Sequence, residues 1–374
     1  MTPVQIAAWL APRQPEMIEV LRGWVEVETP SLEPARVEAL ARAVAAAFAR
    51  LGYQAAYHGQ ALELIPAGAR QASLLLGHLD TVYPAGTLAG MPFRIEGGCG
   101  FGPGIYDMKG GVVQALFALQ ALAALSPHAG MPSLLLVYDE ETGSRGSRPL
   151  TEARARAAER TFVLEPAADA EGKLKLARKG IALYALEAFG RAAHAGVDFE
   201  QGASAIAELA SCVAEISRWS NPENGISVNC GLLQGGSRVN VVAAHARAEF
   251  EVRAWTVAEL EALDQRLRRL SPGDPRVRFE LSGGINRPPL EPSAASRALA
   301  GQAQALAREL GFDLGTTRTG GGSDGNFTAA SGCPTLDGLG LVGAGAHAPH
   351  EHIQLATLVP RTALLASLLA ARLE

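Results

Sequence analysis

The sequence predicts an α/β protein in which a small α+β domain interrupts a larger layered domain. Three short apolar runs, residues 73–77, 133–138 and 161–164, are bounded by turn residues and alternate with helical patterns, as buried strands of a layered sheet do. After Lys175 the pattern changes to alternating strands in a β-α-β-β-α-β order, which is typical of a two-layer α+β domain. From Pro292 the Ala/Leu-rich helical pattern of the first part resumes, so we expect the small domain to be an insertion.

The larger domain begins with helices. Apolar residues recur at helical spacing over residues 15–27 and 35–51. Residues 97–111 are rich in glycine and lead into an Ala/Leu-rich helix over 111–125. These helices, together with the three apolar strands, predict a sheet covered by helices.

The inserted domain is expected at residues 178–287, which leaves residues 1–177 and 288–374 to the larger domain. Its predicted elements are a strand over 181–189, a helix over 201–218, strands over 226–233 and 245–255, a helix over 257–270 and a strand over 276–281.

Composition limits the class of protein. The chain has 374 residues, of which 48% are apolar and 19% charged, and its net charge of −5 gives no reason to expect nucleic acid as a partner. We expect no membrane partner either, because we find no basic stretch and no apolar run near the ~20 residues that a membrane span needs. Pro3, Pro12, Glu16 and Glu19 interrupt the N-terminal segment, so we expect a cytoplasmic protein without a signal peptide.

The four cysteines are widely spaced and form no C-x-x-C pair. We therefore expect small buried thiols in a reducing compartment rather than a cysteine zinc site. They are Cys99, Cys212, Cys230 and Cys333.

Residues that could take part in catalysis or bind a metal follow directly after the predicted strands. His78 and Asp80 come directly after the run 73–77, and the carboxyl ends of strands are where open α/β sheets bind ligands. In an extended H-x-D segment the two side chains point the same way, so Asp80 is placed to orient the His78 ring. The alternative is an ordinary polar strand end.

Two groups of acids are further candidates. Asp107 lies between glycines that allow close approach to a ligand, although it could instead cap the helix that follows. Asp139, Glu140 and Glu141 follow the strand 133–138, where three adjacent acids are costly unless a positive group such as a divalent metal compensates them. The alternative is a solvated acidic turn.

The last candidates are Glu165, which ends the third apolar strand, and a loop at 345–352 with three histidines. A histidine-rich loop also fits a solvated surface. Taken together, the acids and histidines without thiolates indicate a site for Zn²⁺, Mn²⁺ or Co²⁺.

These motifs resemble the two-zinc exopeptidases that include glutamate carboxypeptidases, acetylornithine deacetylases and succinyl-diaminopimelate desuccinylases, with the glutamate carboxypeptidases as the most similar branch. The matching segments cover the chain from about residue 70 to its end and occur in the family's order. They are GHLDTVYP (77–84), GPGIYDMKGG (102–111), DEETGSRGS (139–147), LEPA (164–167), AHAGVDFEQGASAI (193–206), GGSRVNVV (235–242), GGGSDGNFTA (320–329) and GLGLVGAGAHAPHEHI (338–353).

The resemblance implies a zinc-exopeptidase catalytic domain, with a mixed sheet between helices, and two Zn²⁺ per subunit, for which Co²⁺ or Mn²⁺ could substitute. Asp107 would bridge both metals. His78 and Glu165 would complete one site, and Glu141 and His347 the other.

Further roles follow from the same resemblance. Glu140 would be the general base that activates the water, and Asp80 would orient the metal-binding His78. The family's last metal-binding histidine precedes a glutamate by four positions, which favours His347 over His350 or His352.

The insertion resembles the family's lid and dimerisation domain, which implies a homodimer. His194 matches a histidine that reaches the partner subunit's active site and stabilises the oxyanion. Arg253 and Asn240 match positions that hold the substrate's carboxylate or carbonyl. The pocket-lining loop would contain Gly321, Gly322 and Ser323.

The expected activity is therefore zinc-dependent hydrolysis of an amide bond next to a free carboxylate, in a small peptide or N-acyl amino acid. An N-acyl amino acid deacylase or a dipeptidase would have the same metal site. A non-catalytic metal-binding protein is the alternative from another class.

Overall fold

The computed structural model describes residues 1–68, 72–127 and 130–371. Its contacts divide the chain into two compact units. The large unit comprises Met1–Ala177, Pro292–Thr319 and Ser323–Glu374, and the small unit comprises Arg178–Glu291 and Gly320–Gly322. The short segment Gly320–Gly322, assigned from sequence to the larger domain, clusters with the small unit.

The strands are numbered in chain order. They are β1 (Tyr53–Tyr57), β2 (Ala61–Pro66), β3 (Ser73–His78), β4 (Arg94–Glu96), β5 (Cys99–Phe101), β6 (Ser133–Val137), β7 (Arg160–Val163), β8 (Leu174–Arg178), β9 (Gly180–Phe189), β10 (Ser227–Gly235), β11 (His245–Ala254), β12 (Arg278–Arg287), β13 (Thr316–Thr319), β14 (Thr335–Leu336), β15 (Gly343–Ala344) and β16 (His352–Gln354).

The α-helices are numbered in the same way. They are α1 (Pro3–Leu10), α2 (Gln14–Val25), α3 (Pro34–Ala49), α4 (Gly110–Leu125), α5 (Arg148–Ala157), α6 (Ala205–Ser217), α7 (Val257–Arg268), α8 (Ala294–Glu309), α9 (Gly325–Ala330) and α10 (Leu358–Ala370).

A mixed sheet with the strand order β1-β2-β6-β3-β7-β14 forms the centre of the large unit. Strands β6, β3, β7 and β14 are parallel, whereas the hairpin of β1 and β2 adds an antiparallel edge. The three predicted apolar strands are β3, β6 and β7, and every residue in them is buried. The mixed sheet between helices confirms the predicted fold class.

Helix α4 is the central helix of this unit and packs against α10, α1 and α2. The segment Ile105–Leu125 is long and apolar enough to cross a membrane by length and composition. The expectation that no run approaches this length is therefore wrong. Since 78% of its most apolar window is buried inside the structure, the segment has the environment of a core helix.

The N-terminal prolines begin helices rather than interrupt them. Pro3 occupies the first turn of α1, where the amide that proline lacks would have no helical partner. Thr2 and Gln5 complete a capping box around it. The sequence patterns did not predict this helix.

The small unit is an antiparallel sheet of order β10-β11-β9-β12 with α6 and α7 packed against it. Residues of β11 alternate between buried and more exposed positions, as expected for a strand with one covered face. Strand β12 extends well beyond the predicted end at residue 281. Two glycines obscured its pattern, and Gly283 (φ 102°) is required because a Cβ atom there would lie 2.1 Å from the Leu183 carbonyl oxygen.

All four cysteines are free. Cys212 and Cys333 are buried, but Cys99 and Cys230 are partly exposed, so the expectation that every thiol is buried is wrong for these two.

Candidate metal centre

The parallel register explains why distant acids meet at one edge of the large unit's sheet. His78, the last residue of β3, pairs with Val137 of β6, and Leu76 pairs with Val163 of β7. Because the three strands end at the same level, Glu141 and Glu165, which follow β6 and β7, emerge beside His78.

The first cluster consists of His78, Asp107 and Glu165, whose donor atoms lie within 4.8 Å of one another. Nε2 of His78 is 3.0 Å from Oδ1 of Asp107 and 3.5 Å from Oε1 of Glu165. The His78 side chain is almost fully buried, and the Glu165 side chain is 9% exposed. The donors are nitrogen and oxygen atoms, which suits a divalent metal such as zinc.

The second cluster consists of Asp107, Glu141 and His347. Nε2 of His347 is 3.4 Å from Oδ2 of Asp107 and 3.2 Å from Oε2 of Glu141. Asp107 thus presents one carboxylate oxygen to each cluster, which is the arrangement of a bridging ligand. His347 has a positive φ of 63°, and its side chain is half exposed.

The protonation of these groups in the absence of metal reflects their crowding. Burial alone would raise the pKa of Asp107, but hydrogen bonds from His347 and His78 hold it well below its usual value. Burial raises the pKa of Glu141. Hydrogen bonds to Asp107 and Glu141 raise the pKa of His347 to about 10. The cluster therefore holds protons where metal ions would otherwise supply positive charge.

The His78 ring is oriented chiefly by backbone. Its Nδ1 lies 2.9 Å from the main-chain oxygen of Asp80 and 3.5 Å from Oδ1 of the same residue. The Asp80 carboxylate, which is fully buried, instead accepts hydrogen bonds from the Ser31 hydroxyl (2.7 Å) and from the amides of Glu140 (3.3 Å) and Glu141 (3.2 Å). Asp80 thereby links the His78 segment to the turn that contains the two glutamates.

Glu140 and Glu141 lie in a single 3-10 turn, Glu140–Thr142, which follows Asp139 and begins three residues after the end of β6. Asp139 accepts hydrogen bonds from the amides of Gly146 (2.8 Å) and Ser147 (3.3 Å), so the first acid of this run stabilises the following loop. This leaves Glu141 in the second cluster and Glu140 beside it.

The other two histidines of the C-terminal loop lie outside both clusters. His352 packs its ring against Phe101, with ring centroids 5.2 Å apart, and its Nδ1 contacts the main-chain oxygen of His350. Of the three histidines in this loop, His347 alone belongs to a cluster found among the described residues. Its role as a ligand remains a prediction.

The predicted substrate residues are divided between the units. His194 and Asn240 lie side by side in the small unit, because the Ala195 amide donates to the main-chain oxygen of Asn240 (3.0 Å). The Gly196 amide donates to Nδ1 of His194 (3.1 Å), which leaves the hydrogen of the neutral ring on Nε2. Their roles toward the metal centre remain predictions.

The glycine loop adjoins two arginines of the small unit. Arg253 donates to the Gly320 carbonyl (2.7 Å), and Arg178 donates to those of Gly321 (3.3 Å) and Gly322 (3.0 Å). Ser323, by contrast, belongs to the large unit. It is buried, and its hydroxyl donates to Asp337 (2.7 Å), which indicates a structural rather than a pocket-lining position.

Several residues near the centre were not found from the sequence. Lys175 approaches Glu165 with its Nζ 3.8 Å from Oε2. Lys109 is fully buried, which lowers its pKa to about 7, and it donates to the Val27 carbonyl (2.8 Å). Glu351 is fully buried beneath the loop of Asp107. Lys109 and Glu351 lie within two of the segments that resemble the exopeptidase family, GPGIYDMKGG and GLGLVGAGAHAPHEHI. Their binding partners, however, are known only from the contacts in the structure.

The sequence profile of the peptidase family M20/M25/M40 matches residues 74–371. Carboxypeptidase G2 of Pseudomonas sp. (strain RS-16) is 30% identical over 368 residues, which are 95% of this chain and 88% of that protein. The succinyl-diaminopimelate desuccinylase of Halorhodospira halophila is 28% identical over 301 residues, covering 76% of this chain and 78% of that one.

The fold has solved counterparts. The YXEP protein of Bacillus subtilis, described as a dinuclear metal-binding peptidase from the M20 family, superposes with a TM-score of 0.71 at 15% identity, covering 96% of this chain and 98% of that chain. The fold and the clustered donor groups define a metallopeptidase scaffold. The chain belongs to the peptidase family M20/M25/M40, and it is an enzyme that hydrolyses peptide or related amide bonds.

Proposed function

We propose that this enzyme uses two zinc ions to hydrolyse the amide bond next to a free carboxylate, as a glutamate carboxypeptidase does. The observation that carries the proposal is the position of Asp107, whose two oxygens face two separate nitrogen- and oxygen-donor clusters. Cobalt or manganese could occupy the same donors. Bound metal ions would supply an acidified water and polarise the scissile carbonyl.

Glu140 is the proposed general base. It follows a buried strand, neighbours Glu141 of the second cluster, and has its backbone held by Asp80. A carboxylate held in this way accepts the proton of the attacking water and then delivers it to the leaving amine.

His194 is the proposed oxyanion donor, acting across a homodimer. Its neutral ring would donate from Nε2, since Nδ1 already accepts the Gly196 amide. The neighbouring surface supports a dimer, because Phe199 and Val239, which line a cavity of about 670 Å³, are 67% and 104% exposed, and Val197, two residues before Phe199, is 76% exposed. Such exposed apolar patches are typical of protein interfaces.

Arg253 and Asn240 are the proposed contacts of the substrate's carboxylate or carbonyl, together with the loop of Gly321 and Gly322. Arg253 adjoins this loop through its bond to Gly320. The 30% identity to carboxypeptidase G2 favours release of a C-terminal residue. The resemblance of the motifs to glutamate carboxypeptidases favours glutamate or a similar residue at that position. The relationship to a desuccinylase favours an N-acyl amino acid deacylase as the second candidate.

A panel of N-acyl-glutamates, N-acyl-diamino acids and dipeptides tests this proposal on zinc-loaded protein, with metal content measured on the same sample. We expect two metals per chain and the fastest release from N-acyl-glutamates. Fastest release from N-acyl-diamino acids would favour the deacylase, and release only from dipeptides the dipeptidase. Protein that binds two metals but hydrolyses none of these substrates would contradict the proposal.

We also propose a cytoplasmic location, which the four free thiols support.

A further inference from the structure

Glu351 is a fully buried carboxylate that belongs to neither metal cluster. It lies four residues after His347, and its side chain accepts three backbone amide hydrogen bonds. Oε1 accepts from Tyr106 (2.8 Å) and Asp107 (2.9 Å), and Oε2 accepts from Gly104 (3.0 Å). One carboxylate thus holds the backbone of the loop that carries the bridging Asp107.

The loop is shaped for this approach. Gly104 has a φ of 70°, and a Cβ atom there would lie 2.6 Å from Cγ2 of Thr81, so only glycine lets the chain turn here. The Gly102 amide also faces the main-chain oxygen of Glu351, at 3.4 Å. Because the amide of Asp107 itself is bound, Glu351 fixes the point from which the bridging carboxylate projects.

A third segment meets the same carboxylate. Tyr83, five residues after His78, donates its hydroxyl to the Ala348 carbonyl (3.0 Å), and the same hydroxyl faces Glu351. The segments that contain His78, Asp107 and His347 therefore meet around Glu351.

We propose that Glu351 is a positioning residue that fixes Asp107 relative to His347, so that both metal clusters form together. The proposal rests on the metal centre of the proposed function. A positioning role differs from a merely structural one in its consequence. Substitution of Glu351 would change the affinity and geometry of metal binding, and not only the stability of the fold. Partners that orient metal ligands typically contribute about 10- to 100-fold to affinity.

Glu351→Gln is the direct test. The glutamine oxygen can replace one acceptor, but its NH₂ group would then face a backbone N–H, which leaves a buried donor unpaired. Glu63→Gln is the matched control, because Glu63 is also buried, at 2% exposure. It bonds to His58 and Arg154 instead of a candidate metal ligand.

Metal-free protein is titrated with Zn²⁺ against a competing chelator, and the visible spectrum is recorded with Co²⁺. We expect Glu351→Gln to bind metal at least about ten-fold more weakly with an altered Co²⁺ spectrum. Glu63→Gln should lose thermal stability but keep wild-type affinity and spectrum. Tyr83→Phe, which removes the hydroxyl that faces Glu351 and binds the Ala348 carbonyl, should weaken binding in the same direction and decides the question if Glu351→Gln does not fold.

Wild-type affinity and spectrum in Glu351→Gln would overturn the inference, as would an equal loss in Glu63→Gln. If Glu351→Gln is unfolded, wild-type affinity in Tyr83→Phe would overturn it. Wild-type protein that fails to bind two metals would overturn the proposed function itself. Wild-type protein that binds two metals, with no effect of Glu351→Gln, would overturn only the role of Glu351, so the two failures are distinguishable.

Discussion

Arg253 forms a bidentate ion pair with Glu251, two residues earlier on the same face of β11. Nε is 2.6 Å from Oε1 and Nη2 is 3.0 Å from Oε2, and Nη1 donates to the Gly320 carbonyl (2.7 Å). Three of the five guanidinium N–H donors are thus engaged within the small unit. A substrate carboxylate that binds Arg253 would have to compete with Glu251 for the bidentate edge.

Glu251→Gln is therefore expected to lower KM for carboxylate-bearing substrates several-fold with little change in kcat. The substitution removes the competing negative charge but keeps one acceptor for the guanidinium. Stability should change little, because partly exposed ion pairs contribute at most about 1 kcal/mol. The measurement is KM and kcat on an N-acyl-glutamate and on the analogue whose α-carboxylate is amidated.

The matched control is Glu249→Gln, which breaks a similar pair with Arg247 on the same strand. It should leave KM unchanged. An unchanged or higher KM in Glu251→Gln would show that the glutamate does not restrict access to Arg253.

The clustering of the candidate ligands could be expected from the sequence, because their positions depend on strand ends. Once three apolar runs are assigned to parallel strands, His78, Glu141 and Glu165 must emerge at one edge. The hairpin of β1 and β2 was not predicted, because the sequence of β1, Tyr-Gln-Ala-Ala-Tyr, lacks a clear alternation.

Other features depend on contacts that no local pattern encodes. Glu351 binds amides some 245 residues earlier in the chain, and a glutamate in a loop gives no sign of such partners. Likewise, the i, i+2 spacing places Glu251 and Arg253 on one face of a strand, but whether they pair depends on their rotamers. The H-x-D pattern also could not predict that the Asp80 carboxylate accepts hydrogen bonds from the Glu140 and Glu141 amides.

Glu140→Gln is expected to reduce turnover by about 10²–10⁴-fold while metal content stays near that of the wild type, because glutamine cannot accept the proton of the attacking water. Elemental analysis and kcat on the same preparation measure both quantities. Glu141→Gln provides the contrast, since it should lose metal as well as activity. Loss of zinc from Glu140→Gln would instead identify Glu140 as a ligand.

The metal-free protein is expected to lose stability as pH rises from about 6.5 to about 10. His347 has a folded-state pKa of about 10, above its unfolded value, because of its bonds to Asp107 and Glu141. Its stabilising contribution is therefore complete below the unfolded pKa and disappears as pH rises through the folded pKa.

Zinc-loaded protein should lack this loss, because a metal ion replaces the proton on the ring. Thermal unfolding of both forms across this pH range measures the difference, and His347→Ala should flatten the slope of the metal-free form. An equal slope in His347→Ala and wild type would assign the pH dependence to another group.

Subunit mixing tests whether His194 acts on the partner subunit. The variants Glu140→Gln and His194→Ala should each be nearly inactive alone. In a mixed dimer, the subunit that carries His194→Ala keeps its own Glu140 and receives an intact His194 from its partner, so one of the two sites is complete. Random exchange at equal concentrations makes about half of the dimers mixed, which predicts recovery of about a quarter of wild-type activity.

If His194 served its own subunit, both sites of the mixed dimer would remain defective and mixing would restore nothing. A mixture of Glu140→Gln with Glu141→Gln, whose defects lie in the same large unit, should show no recovery and controls for residual activity.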